Sequence, residues 1–166
     1  MNKLISANIE AVDQALEVVG SISDVAYQSR VDGRSQPGAH IRHVLDHYQA
    51  LRDGFSSGLV DYDCRTRQSE VETNRQIAEQ ELLDAKKWLL SLGEESVAVK
   101  VKSEVSLCEC CTITIDSDSA RELLYVLNHT VHHMAYVALL LKFNGVVVND
   151  AIGMAPATAS HRRTAG

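Results

Sequence analysis

Between about Ser119 and Phe143 the chain reads as a helix that is apolar almost all the way round. Such a helix has to be buried among other elements. At about 100° per residue, Leu123, Leu127, Val131, Met134, Ala138 and Leu141 cover one side. Tyr125, Val126, Tyr136 and Leu140 share the opposite arc. The simplest home for this helix is the centre of a helical bundle. Only two prolines occur in 166 residues, so long uninterrupted helices can surround it. A chain of this length fits one domain with a sizeable core.

Three further helices are predicted. The first spans about Ile5 to Gln28, where Ile9, Val12, Ala15, Leu16 and Val19 recur at helical spacing. The breaker run Asp32-Gly33-Arg34-Ser35-Gln36-Pro37-Gly38 ends it. The second spans about Ala39 to Phe55, with a stripe of Ile41, Val44, Tyr48, Leu51 and Phe55. Gly58 to Arg67 reads as a polar connection. Ser69 with Glu72 forms a capping-box pattern that opens the third helix, which runs to about Leu92 and stops at Gly93. Trp88, among Leu82, Leu83, Leu89 and Leu92, reads as core.

From Val97 to Leu107 the period changes to two, and Thr112-Ile113-Thr114-Ile115 follows, which predicts a β-hairpin. Ser119 with Glu122 is a second capping-box pattern, opening the last bundle helix. The expected fold is therefore all-α: a four-helix bundle with a short β-hairpin between helices three and four. Residues 1–150 form its one domain, and 151–166 form a partly ordered tail.

The last bundle helix carries the run Asn128-His129-Thr130-Val131-His132-His133. His129 and His133 are four residues apart, one turn along the same face. Two imidazoles at that spacing can bind one metal ion. A buried imidazole also needs a partner, since an unsatisfied polar group costs on the order of 1–3 kcal/mol. His40, His43 and His47 share an arc of the second helix, and His43 or His47 can supply a third ligand. Three histidines plus an open position is the arrangement of a catalytic metal site. His132 lies to one side. Glu122, Tyr125 and Tyr136 fall on the histidine arc and are expected to line the pocket. No Glu follows His129, which excludes the metalloprotease pattern.

The element order, a histidine on helix two and Asn-His-x-x-His-His on the last helix together resemble the DinB/YfiT-like superfamily of metal-binding four-helix bundles. The resemblance runs from about Ala39 to Gly145, with the first helix added. Arg42-His43-Val44-Leu45-Asp46 resembles the family's single-ligand segment, which implies His43, His129 and His133 as the ligands. His47 remains the alternate or fourth ligand. The string from Asp61 to Arg67 resembles a narrower subgroup feature. Many family members have Arg-Gly-Gln after the paired histidines; here Met134-Ala135-Tyr136 stands instead. Known relatives include metal-dependent thiol transferases, a thiol-dependent isomerase and the iron-binding bundle of sulfoxide synthases. The resemblance thus implies a divalent-metal-dependent transferase or hydrolase, with thiol transfer to a small molecule favoured. The alternative is a non-catalytic metal-binding, stress-response bundle. Neutral imidazoles suit zinc, nickel or iron(II).

The formal charge of −6, with basic residues scattered, argues against nucleic acid as a partner. No apolar run approaches the ~20 residues of a membrane span. Met1-Asn2-Lys3-Leu4-Ile5 shows no signal-peptide core, and the four cysteines form no secreted framework, so a cytoplasmic location is expected. Cys108, Cys110 and Cys111 read as buried small residues of a strand. Arg65 and Arg67 read either as a solvated linker or as an anion contact at the site mouth. Leu124, Val131, Ala135 and Leu139 point away from the histidines, and with the family's tendency to pair they predict a homodimer.

Overall fold

The computed structural model describes residues 1–31, 33, 35–64 and 69–164. Its helices are α1 (Asn2–Ser21), α2 (Asp24–Tyr27), α3 (Pro37–Ser57), α4 (Arg75–Leu90), α5 (Ser119–Phe143) and α6 (Pro156–Thr164). A 3-10 turn, Glu70–Glu72, precedes α4. Three strands, β1 (Leu59–Asp61), β2 (Ala98–Glu104) and β3 (Thr112–Asp118), form one sheet in that order. β1 runs parallel to β2 with Val60 opposite Val101, and β2 runs antiparallel to β3.

The architecture is α/β: among the described residues, six helices and a three-stranded mixed sheet. This corrects the expectation of an all-α four-helix bundle with only a hairpin. The strand that changes the class lies in the segment read as a polar connection. Leu59–Asp61 is too short to show alternation, and its pairing partner lies some forty residues downstream. Local pattern cannot report a pairing of that kind. Gly58, at φ 82°, ends α3 and turns the chain into β1. Gly54 lets the strand lie directly on the helix, because a Cβ there would run into Val60.

Two helix starts also differ from expectation. Ser69 does not cap; Asn74 does, accepting from the N–H groups of Gln76 and Ile77. Asp118 caps α5 by accepting from Ala120 and Arg121, while the Ser119 hydroxyl accepts from the Val97 N–H. Glu122 is thereby released from the capping role the sequence pattern implied. The cysteines are corrected as well. β2 ends at Glu104 and β3 begins at Thr112, so Cys108, Cys110 and Cys111 occupy the turn between them. Cys108 and Cys110 are exposed, and Cys111 is half-buried.

α1, α3, α4 and α5 pack on one another around the core, with α5 against both α1 and α3. A buried polar knot locks this packing. The Asn8 side chain donates to the Leu123 carbonyl at 3.0 Å and accepts from the Tyr48 hydroxyl at 3.1 Å. The Thr130 hydroxyl donates to the Tyr48 oxygen at 3.4 Å. These bonds join α1, α3 and α5, and each satisfies a group whose burial would otherwise be costly. They also set the register of α3 against α5, which is the register of the histidines. Beyond α5, Ile152 returns to the core and α6 buries none of its side chains. No helix among the described residues is long and apolar enough to cross a membrane.

Candidate metal centre

α3 and α5 bring six histidines to one seam. His43, His129 and His133 each offer a ring nitrogen, and these atoms all lie within 4.8 Å of one another. All three residues are half-buried. Their ring centroids are 4.9 Å apart for His43–His129, 4.7 Å for His43–His133 and 4.4 Å for His129–His133. Nitrogens bound at about 2.1 Å around a tetrahedral ion lie about 3.4 Å apart, so small side-chain rotations complete a ligand set. The group could hold a metal ion.

The surrounding rings constrain these three. His47 is buried and stands outside the set of three. Its Nδ1–H donates to the His43 carbonyl at 2.9 Å, which leaves Nε2 as the lone-pair nitrogen of the neutral ring. Its ring stacks on His129 at 3.9 Å between centroids. His40 meets His133 through their Nδ1 atoms, 2.9 Å apart. One of the two nitrogens must carry the proton. When His133 donates, its other nitrogen presents a lone pair and His40 becomes the acceptor that orients it. His132 is exposed and touches His133 edge-on.

Electrostatics hold two members of this seam, His133 and His40, neutral. The His133 imidazole is pushed down to about 3, first by burial and then by the neighbouring His129, His40 and His132. His40 is lowered too, by burial and then by His132 and Arg42. A neutral imidazole is the form that ligates a metal. The donor type of the three and the protonation of His133 therefore fit a cation.

Of the residues expected to line the pocket, Tyr125 stacks beside His129 at 5.8 Å and lies under the Arg121 guanidinium. Tyr136 packs against His40 at 4.7 Å. Glu122 is buried and reaches the histidines through another residue. It accepts from the Tyr62 hydroxyl at 2.7 Å and the Ser117 hydroxyl at 2.5 Å. Tyr62 in turn stacks on His47 at 5.2 Å and meets Tyr125 at a tilt, 5.1 Å between centroids. Burial and the Glu122 carboxylate raise the Tyr62 phenol well above its ordinary value, so it stays a donor. Tyr62 and the pairing of His40 with His133 escaped the sequence reading. Tyr62 follows β1 directly, and only that unforeseen strand carries it to the seam. Arg65 and Arg67 lie outside the described residues.

No family model, no curated protein and no solved structure matches this chain.

Proposed function

We propose that the chain is a metal-dependent enzyme acting on a small molecule, with a divalent ion held by His43, His129 and His133. The observation that carries this reading is the convergence of three imidazole nitrogens from two helices. Three protein ligands leave a coordination position for a substrate. Zinc, nickel and iron(II) all suit the donors. The reaction class favoured by resemblance to the DinB/YfiT-like superfamily is transfer of a low-molecular-weight thiol, or a related group transfer.

A bound divalent ion supplies Lewis acidity, which lowers the pKa of a thiol or water beside it. The chain's own residues do the rest. His40 accepts from His133 and fixes the ring that ligates. Tyr125 and Tyr136 flank the seam and offer hydroxyl donors to a bound substrate. Tyr62, held by Glu122, walls the His47 side and keeps its phenol protonated.

A second reading rests on His47. Its stacked position beside His129 makes it a candidate fourth ligand, and a closed four-ligand site belongs to a non-catalytic metal-binding bundle. The experiment combines elemental analysis of untagged protein with His129→Ala and His133→Ala, then a panel of thiols with electrophiles. The proposal expects one metal per chain in the wild type, loss in both variants, and turnover that follows the metal. Undiminished metal in both variants overturns the site. Bound metal without turnover across the panel, together with metal loss in His47→Ala, favours the second reading.

A further inference from the structure

His133 takes its orientation from His40, through the bond between their Nδ1 atoms. His129 takes its orientation from neighbouring rings. The His47 ring lies on it at 3.9 Å between centroids and 22° from parallel. Tyr62 lies on His47 in turn, at 5.2 Å and 23°. Tyr125 makes a second route, meeting Tyr62 at 5.1 Å and lying 26° from parallel to His129 at 5.8 Å. Tyr62 and His47 are both buried. The far end of this group is held by a carboxylate. Glu122, also buried, accepts from the Tyr62 hydroxyl at 2.7 Å and from the Ser117 hydroxyl at 2.5 Å. It thereby joins the residue after β1, the end of β3 and the first turn of α5.

We infer that Tyr62 and Glu122 are positioning residues of the histidine centre: the carboxylate fixes the Tyr62 ring, and through His47 and Tyr125 that ring fixes the plane of His129. The inference rests on the reading of His43, His129 and His133 as ligands of one divalent ion. The outer torsion of a histidine side chain is broad and soft, so the helix alone does not aim the ring. Packing that sets the ring before an ion arrives removes an ordering cost from binding. The two anchoring groups also satisfy each other. A buried phenol needs an acceptor, which Glu122 supplies. A buried carboxylate needs donors, which Tyr62 and Ser117 supply.

Geometry gives His47 the part of a spacer in this stack. A ligating imidazole holds its ion in the plane of its own ring, about 2.1 Å from the nitrogen. Two rings can therefore share an ion only where their planes meet. Stacked rings stand about 3.5 Å apart, and at a tilt of 22° planes so separated meet about 9 Å away. That is far beyond the reach of either ring. To become the fourth ligand of the second reading, His47 would have to leave the stack. In place, it passes the contact of Tyr62 on to His129. Its Nδ1–H bond to the His43 carbonyl, at 2.9 Å, holds it there.

The test is titration of the metal-free, untagged, full-length protein with divalent cobalt, read by the visible spectrum and by chelator competition. Cobalt lies between iron(II) and nickel in the affinity order, so it reports on the same nitrogen donors. The wild type is expected to bind one equivalent. Tyr62→Leu is expected to bind one equivalent too, with affinity lower by about 10–100-fold and a shifted visible band. Tyr62→Phe keeps the ring without its anchor and is expected to fall between that variant and the wild type. His47→Phe keeps a ring in the stack without nitrogens and is expected to retain one equivalent. Val12→Ala, a core change on α1, which supplies none of these rings, is expected to lose stability in urea and keep wild-type affinity. Wild-type affinity and band in both Tyr62 variants overturn the positioning role. So does an equal loss of affinity in Val12→Ala, which would make the effect general destabilisation. If Tyr62→Leu does not fold, Tyr62→Phe decides alone, because its ring still fills the site. Loss of the ion in His47→Phe overturns the role by making His47 a ligand. A wild type that takes up no cobalt overturns the three-histidine reading itself, and the positioning role with it.

Discussion

His40 and His133 meet through two Nδ1 atoms with one proton between them, and that bond decides which nitrogen of His133 faces His43 and His129. A residue that orients a ligating histidine typically contributes about 10–100-fold to metal affinity. His40→Phe keeps a ring against Tyr136 and removes the acceptor. It is expected to keep one metal per chain and to weaken its affinity by about 10–100-fold, read by chelator competition. Unchanged affinity would show that the contact is packing alone. The same two residues set a pH dependence. Their folded pKa values lie below the ordinary 6.5, His133 at about 3. Between those values the unfolded chain binds protons that the folded chain refuses, so stability rises with pH across the window and is lost on acidification. Above about 6.5 both states are neutral and the contribution vanishes. The urea midpoint of the metal-free protein should therefore fall from pH 7 to pH 5, and fall less steeply in His133→Phe. Equal slopes in the two proteins would refute the assignment.

Among the elements, β1 is the one that changes the architecture, and Gly54 is what lets it dock. A Cβ at that position would strike the Val60 side chain and backbone. Gly54→Ala is thus expected to cost about 1–3 kcal/mol in urea unfolding, despite the higher helix propensity of alanine. A neutral or stabilising outcome would show that the strand yields easily. This element also marks what could be read from the chain beforehand. α1, α3, α4 and α5 announce themselves through 3.6-residue periodicity, because each buries a single continuous stripe or, for α5, nearly every face. The spacing of His129 and His133 on α5 is equally local, being fixed by the helical repeat. What stayed hidden depends on distant partners. Leu59–Asp61 becomes a strand only because β2 lies beside it, and Tyr62 reaches the seam only because that strand forms. Competing side chains hid the caps: Asp118 took the role that Ser119 and Glu122 seemed to share. The cysteines resemble strand residues in the sequence because the alternation of β2 continues into the turn as far as Leu107.

At the scale of the whole molecule, α5 carries more apolar surface than one chain covers. Val131 is not part of the excess; it packs with Leu127 against Ala11 of α1. Leu124 and Leu139 remain 45% and 44% exposed, and Ala135 is also exposed. Leu124, Asn128, Ala135 and Leu139 fall within an arc of about 60°. Their spacing is symmetric about the middle of the helix. In an antiparallel two-fold pairing centred near Val131 and His132, Leu124 of one protomer faces Leu139 of its partner, and Asn128 faces Ala135. Each contact then occurs twice, as a closed two-fold interface requires. Gly153 of the same chain lies directly against Ala135, so the two leucines carry the apolar part of this contact. A homodimer through this stripe is the expected state, with a light-scattering mass twice the 18.2 kDa of the chain. Leu139→Glu places two buried charges in such an interface and should give the single-chain mass with an unchanged circular dichroism spectrum. A wild type that already scatters as one chain would mean that the stripe stays open to solvent.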